Sequence, residues 1–100
     1  ILKQENYQIK MLCVKPGQSL SLQKHKYRSE HWVVVKGEAK VTIANEIKKI
    51  NVGESVYIPL KVKHRLENEH DAIDLMIVEV QTGSYLGEDD IIRYEDKYSR

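Results

Sequence analysis

The sequence is poor in cross-links, in long apolar runs and in net charge, and each shortage excludes a class of protein. A single cysteine, Cys13, rules out an intrachain disulfide and, with no secretory signal pattern, fits a reducing cytoplasm. No apolar run exceeds four residues, as at Trp32–Val35 and Leu75–Val78, against the roughly 20 that a membrane-spanning helix needs. The 16 basic and 15 acidic side chains leave a formal net charge of +1, so the overall balance points to neither nucleic acid nor a membrane surface. No repeat, low-complexity tract or linker is visible. The charge is unevenly placed: residues 1–50 carry 10 basic and 4 acidic side chains, residues 51–100 carry 6 and 11. At 100 residues there is room for one domain over 1–100. The chain opens at Ile1 without methionine, inside what reads as structured sequence, which leads us to expect a domain excised from a longer chain.

What is present is a recurring turn signal. Pro16-Gly17, Lys36-Gly37, Asn45, Asn51–Gly53, Pro59, Asn68–Asp71 and Gly83 fall about every ten residues. The segments between them are rich in β-branched, leucine and tyrosine residues. They predict strands at Tyr7–Val14, Ser19–His25, His31–Lys36, Ala39–Ile43, Ile47–Ile50, Ser55–Ile58, His64–Glu67 and Ala72–Gln81. Eight short strands suit an all-β jelly-roll barrel. Alternation sets Ser19, Ser21, Gln23 and His25 on one face and Leu20 and Leu22 on the other. If the polar face points inward, those leucines need cover from another strand, a second subunit or a further domain. From Glu88 onward the reading is open. Asp89 and Asp90 near one end and Lys97 and Arg100 near the other match a helix dipole, with Ile91, Tyr94 and Tyr98 on one side, but an extended run across the barrel fits equally.

Two segments put metal-ligand side chains at fixed offsets from glycine and proline. The first, Gly17 to Gly37, holds Gln23-Lys24-His25 and Glu30-His31-Trp32. The second holds Gly53, Pro59, Lys61, His64 and Asn68. The pair resembles the two motifs of the cupin superfamily, which implies a cupin-type double-stranded β-helix with one divalent metal inside the barrel mouth. There are departures. Lys61 stands where the family has glycine, which requires either negative φ or local strain. Tyr27 takes the place of the second histidine of the first motif.

A narrower resemblance covers nearly the whole chain. Leu20 to His25, Arg28 to Val35, Val62 to Asn68 and Glu79 to Asp90 are similar to the C-terminal module of type II phosphomannose isomerases. Those enzymes commonly carry a mannose-1-phosphate guanylyltransferase domain ahead of the cupin, and no glycine-rich nucleotide loop is present in this chain. The resemblance implies a metal set of Gln23, His25, Glu30 and His64, with zinc the expected ion. It further implies a phosphosugar substrate, for which Arg93, Arg65, Lys63 and Tyr27 are the candidate contacts. Arg93 is the best phosphate group among the late residues because a guanidinium binds a phosphate dianion bidentately; an ion pair with Glu95 or Asp96 is its ordinary alternative. On a regular strand Lys63 and Arg65 point away from His64. His31 reads as structural or interfacial, His70 as a solvated turn residue, and Glu79 and Gln81 as groups supporting the metal or as a plain strand end.

The activity so implied is interconversion of mannose 6-phosphate and fructose 6-phosphate through a cis-enediol. The general base is not identifiable from the sequence. The expected partners are a phosphosugar and a second copy of the chain. The rival readings are a cupin module without catalysis, sugar-binding or dimerising, that supports a partner domain, and an iron-dependent oxygenase on the same ligands.

Overall fold

The computed structural model describes residues 2–3 and 6–95. Its strands are β1 (Leu2–Lys3), β2 (Tyr7–Val14), β3 (Leu22–Lys24), β4 (Arg28–Lys36), β5 (Glu38–Ile43), β6 (Glu46–Asn51), β7 (Ser55–Ile58), β8 (His64–Glu67), β9 (Leu75–Gly83) and β10 (Ile92–Glu95). They form two five-stranded antiparallel sheets, ordered β1-β2-β9-β4-β7 and β10-β3-β8-β5-β6, with no helix among the described residues. This is the all-β double-sheet architecture that the spacing of turn signals predicts. No helix among these residues is long and apolar enough to cross a membrane.

The boundaries differ from expectation in instructive places. β4 begins at Arg28 rather than His31, because Arg28, Glu30, Trp32 and Val34 all face inward and are buried. A strand with charged residues on its buried face lacks the apolar period by which a strand is read. β3 is shorter than Ser19–His25; Ser19 makes only an isolated bridge to Glu67. The late segment turns at Glu88 and Asp89 and is then extended over Ile92–Glu95, where β10 pairs with β3 at the sheet edge, Arg93 opposite Gln23. Lys97, Tyr98 and Arg100, on which the helical alternative leaned, lie outside the described residues.

The inward positions of neighbouring strands create a polarity gradient. In the β4–β9 pairing Glu30 faces Gln81, Trp32 faces Glu79 and Val34 faces Ile77, so polar pairs give way to apolar ones along a single interior. The apolar end packs Val34, Ile77 and Leu75 with Ile58, Leu66, Val41 and Ala39, all essentially inaccessible to water. Each fully buried large aliphatic there contributes about 1.5–3 kcal/mol over an exposed one. The polar end is the barrel mouth. There Gly83 permits an approach that no side chain would tolerate: a Cβ at that position would sit 2.0 Å from the Tyr27 carbonyl oxygen and 2.7 Å from Arg28 Cα. Its smallness lets the β3–β4 loop press onto the end of β9.

Candidate metal centre

His25 follows the last residue of β3, Glu30 lies on the inward face of β4, and His64 opens β8. All three are buried, with exposures of 3%, 2% and 3%. One donor atom from each lies within 4.8 Å of the others. His25 Nε2 stands 3.2 Å from Glu30 Oε2, and the two imidazole rings are 5.1 Å apart, centre to centre. The indole of Trp32 meets His64 edge-on at 5.6 Å and donates from Nε1 to Glu30 Oε1 at 2.9 Å, so the apolar floor of the barrel also orients the carboxylate.

The backbone fixes the tautomers. His25 Nδ1 lies 2.5 Å from the Asp90 carbonyl oxygen and His64 Nδ1 lies 3.1 Å from that of Val62. A carbonyl only accepts, so each Nδ1 carries a proton, which leaves Nε2 of each ring as the atom that would meet a cation. A ring N–H held by a carbonyl is the usual support of a metal-binding histidine. The His25 anchor is itself held, because the Asp90 carboxylate accepts the backbone N–H groups of Lys26 and Tyr27, both at 2.9 Å. On the other side, the N–H of Lys61 donates to the His25 carbonyl at 2.8 Å. Lys61 reaches that position in the left-handed region, at φ 63°, so the missing glycine is met by strain and not by a different turn.

Charge states suit the same chemistry. Burial depresses the His64 pKa below its ordinary value, with the Glu30 charge and the Val62 carbonyl pulling the other way, so the ring is neutral at neutral pH. Burial alone would raise the Glu30 pKa, but hydrogen bonds with His25 and Glu79 and the nearby histidine charges hold it well below the usual carboxylate range. Glu79 goes the opposite way, pushed up to about 8 by burial and by its hydrogen bond to, and repulsion from, Glu30. It accepts from Trp32 Nε1 at 3.2 Å and from Gln81 Nε2 at 2.8 Å. Two imidazoles and an ionised carboxylate, converging in a buried pocket with their second atoms tied down, fit a divalent cation of borderline softness.

Three of the four expected ligands therefore meet. Gln23, the fourth, is the cross-strand partner of His64 and shares its face. Its amide nitrogen makes long contacts, 3.4 Å each, to the carbonyl and hydroxyl of Ser21. The substrate candidates divide. Arg93 is exposed and, being opposite Gln23 on the edge strand, stands on the face that carries the cluster. Tyr27 sits at the rim, half exposed, its ring edge-on to Tyr85 at 6.1 Å. Lys63 stacks its ammonium 4.2 Å over the Tyr94 ring, and Arg65 pairs across with Thr42; both neighbour His64 in sequence and so face away from it. His31 is exposed beside Tyr57 and Ser55 on the outer face of its sheet. His70 is more than a solvated residue, since its Nδ1 accepts the N–H groups of Ala72 and Ile73 at 3.0 Å and closes the turn.

Two residues escaped the sequence reading. Arg28, 7% exposed, donates from Nε to Glu30 Oε2 at 3.0 Å. Its place two residues before Glu30 and four before Trp32 was the available signal. Asp90 offered none, because its contacts span more than 60 residues of sequence.

The family described as Mannose-6-phosphate isomerase C-terminal matches residues 1–96. The chain belongs to that family. It is 54% identical over 96 residues to a mannose-1-phosphate guanylyltransferase of Salmonella montevideo and 52% identical over 96 residues to the xanthan biosynthesis protein XanB of Xanthomonas campestris, covering 96% of this chain and 20% of each relative. It is 53% identical over 94 residues to the alginate biosynthesis protein AlgA of Pseudomonas putida, covering 94% of this chain and 19% of that relative. The chain thus spans about a fifth of the length of these relatives. Among solved structures, a double-stranded β-helix protein from Klebsiella pneumoniae superposes with a TM-score of 0.80 at 18% identity, covering 96% of this chain and 76% of that one. A cupin 2 domain-containing protein from Halorhodospira halophila gives 0.74 at 20% identity over 85% and 61%. At such identities these share the cupin fold with this chain.

Proposed function

We propose that this chain is a metal-dependent aldose–ketose isomerase module interconverting mannose 6-phosphate and fructose 6-phosphate in the cytoplasm, within GDP-mannose biosynthesis. The observation that carries the reading is the buried convergence of His25, Glu30 and His64 in a member of this family. These three residues, with Gln23, hold a single divalent ion, zinc by the nature of the donors. When bound, the ion supplies Lewis acidity to the sugar carbonyl and stabilises developing oxyanion charge, a contribution of several kcal/mol to the barrier. The chain's own residues do the rest. His25 and His64 keep their protons on Nδ1, Glu30 stays ionised, Trp32 and the apolar floor exclude water, and Arg93 takes the phosphate at the rim. A coupled assay on fructose 6-phosphate tests this. Turnover that a chelator abolishes and zinc restores is the expected result; a metal-loaded protein without turnover would overturn it.

A second reading, an association module, has its own support. Tyr7, Met11, Val35 and Tyr57 are 40–54% exposed on the outer face of the β1-β2-β9-β4-β7 sheet, beside a cavity of about 340 Å³ lined by Val33, Tyr57 and Val80. A homodimer through this face covers that apolar surface. Light scattering of the purified protein, with a Tyr57→Glu variant, separates the two readings, since an isomerase needs no such pairing for its chemistry.

A further inference from the structure

Arg28 has more donors than its surroundings use. Its Nε serves Glu30, its Nη2 lies 3.3 Å from His25 Nε2, and its Nη1 is buried with no hydrogen-bond partner among the described residues. Neutralising Glu30 requires only the first of these. An orphaned donor on a guanidinium that is 7% exposed is costly, and a catalytic or ligand-binding role is one of the reasons a native protein keeps such a group. The Nη2 contact points the same way. Its partner is the lone pair that the metal reading assigns to the cation, and once that pair is committed, Nη2 too lacks an acceptor. The guanidinium would then carry an edge of two parallel N–H donors, Nη1 and Nη2, without acceptors, while Nε keeps it fixed to Glu30.

Such a fork matches two oxygens held side by side in one plane, and a lysine ammonium could not replace it. Neither open-chain sugar phosphate offers that pattern, because in each one of the two carbons, C1 or C2, is tetrahedral. The cis-enediolate between them does: C1 and C2 are both trigonal, O1 and O2 are coplanar, and the charge left by the departing C–H proton is shared between them. We propose that Arg28 is a catalytic residue that binds O1 and O2 of the cis-enediolate through its Nη1–Nη2 edge. This deepens the isomerase reading and rests on it.

The test uses two probes on zinc-loaded protein: arabinonate 5-phosphate, whose carboxylate presents two coplanar charged oxygens, and arabinitol 5-phosphate, which lacks them. Calorimetry on wild type should show preference for the acid. Arg28→Gln should weaken the acid by about 30-fold while leaving the alcohol within about twofold and the metal content unchanged. Arg28→Lys, which keeps the charge and loses the fork, should lose about tenfold, and it carries the test if the Gln variant does not fold. An undiminished acid preference in both variants, or loss of zinc along with it, overturns the proposal and leaves the isomerase reading standing. If wild type binds neither phosphosugar, the isomerase reading fails, and glycolate decides the fork alone. Glycolate binding that weakens tenfold in Arg28→Gln sustains a bidentate anion site, and equal or absent glycolate binding refutes it.

Discussion

Replacing Asp90 should weaken metal binding by a residue that touches no metal. Its carboxylate holds the β3–β4 loop through two backbone N–H groups at 2.9 Å, and its own carbonyl holds His25 Nδ1. Hydrogen bonds to a charged acceptor contribute about 1.5–3 kcal/mol each. Asp90→Ala loses both, and because they share one loop the combined cost is about 3 kcal/mol rather than their sum. Asp90→Asn keeps one acceptor oxygen and turns an NH2 group toward the other N–H, for about 2 kcal/mol. Once the loop is released, His25 is no longer held with Nε2 toward Glu30 and His64. Loss of a support of this kind lowers metal affinity by about 10–100-fold. Competition for zinc against a coloured chelator measures the affinity, and urea unfolding of the metal-free protein measures the stability separately. Nitrogen-15 spectra of the imidazoles report whether His25 keeps its proton on Nδ1. A variant that loses stability yet binds zinc as tightly as wild type would show that His25 is oriented without Asp90, and the clamp would be structural only.

Two further outcomes follow from strain and from charge. Lys61→Gly should stabilise the protein by about 0.5–1 kcal/mol, because a left-handed non-glycine residue is relieved, and thermal unfolding would show it; a loss of stability would mean that the lysine side chain contributes more than its backbone costs. The raised Glu79 pKa makes metal-free stability fall with pH: the native state keeps a proton that the unfolded chain has released above about 4.5, so this contribution is complete below that pH and is lost as pH rises through about 8. The depressed His64 pKa has the opposite slope only below its unfolded value of about 6.5, and Glu30 acts only in acid, so pH 6.5 to 8 isolates Glu79. Across that window wild type should lose about 1–2 kcal/mol more than Glu79→Gln; parallel curves would refute the assignment.

The all-β architecture was legible because Ala39, Val41 and Ile43 alternate with polar neighbours and because turns recur at strand spacing. The polar mouth was less so, for one physical reason. Arg28 and Glu30 occupy inward positions where an apolar period expects Val or Ile, so periodicity starts the strand at His31 and gives Arg28 no inward role. Lys61 was recognised as an anomaly, but whether strain or a different turn would resolve it depends on the His25 carbonyl that its N–H meets. Asp90 and the edge strand β10 depend on pairings across the whole chain, which local pattern does not encode.

Elemental analysis of the folded protein, after equilibration with zinc and removal of excess, tests the central claim most directly. The account predicts one zinc per chain in the wild type and none in a His64→Ala variant that remains folded. A wild type that keeps its fold and retains no metal would contradict it.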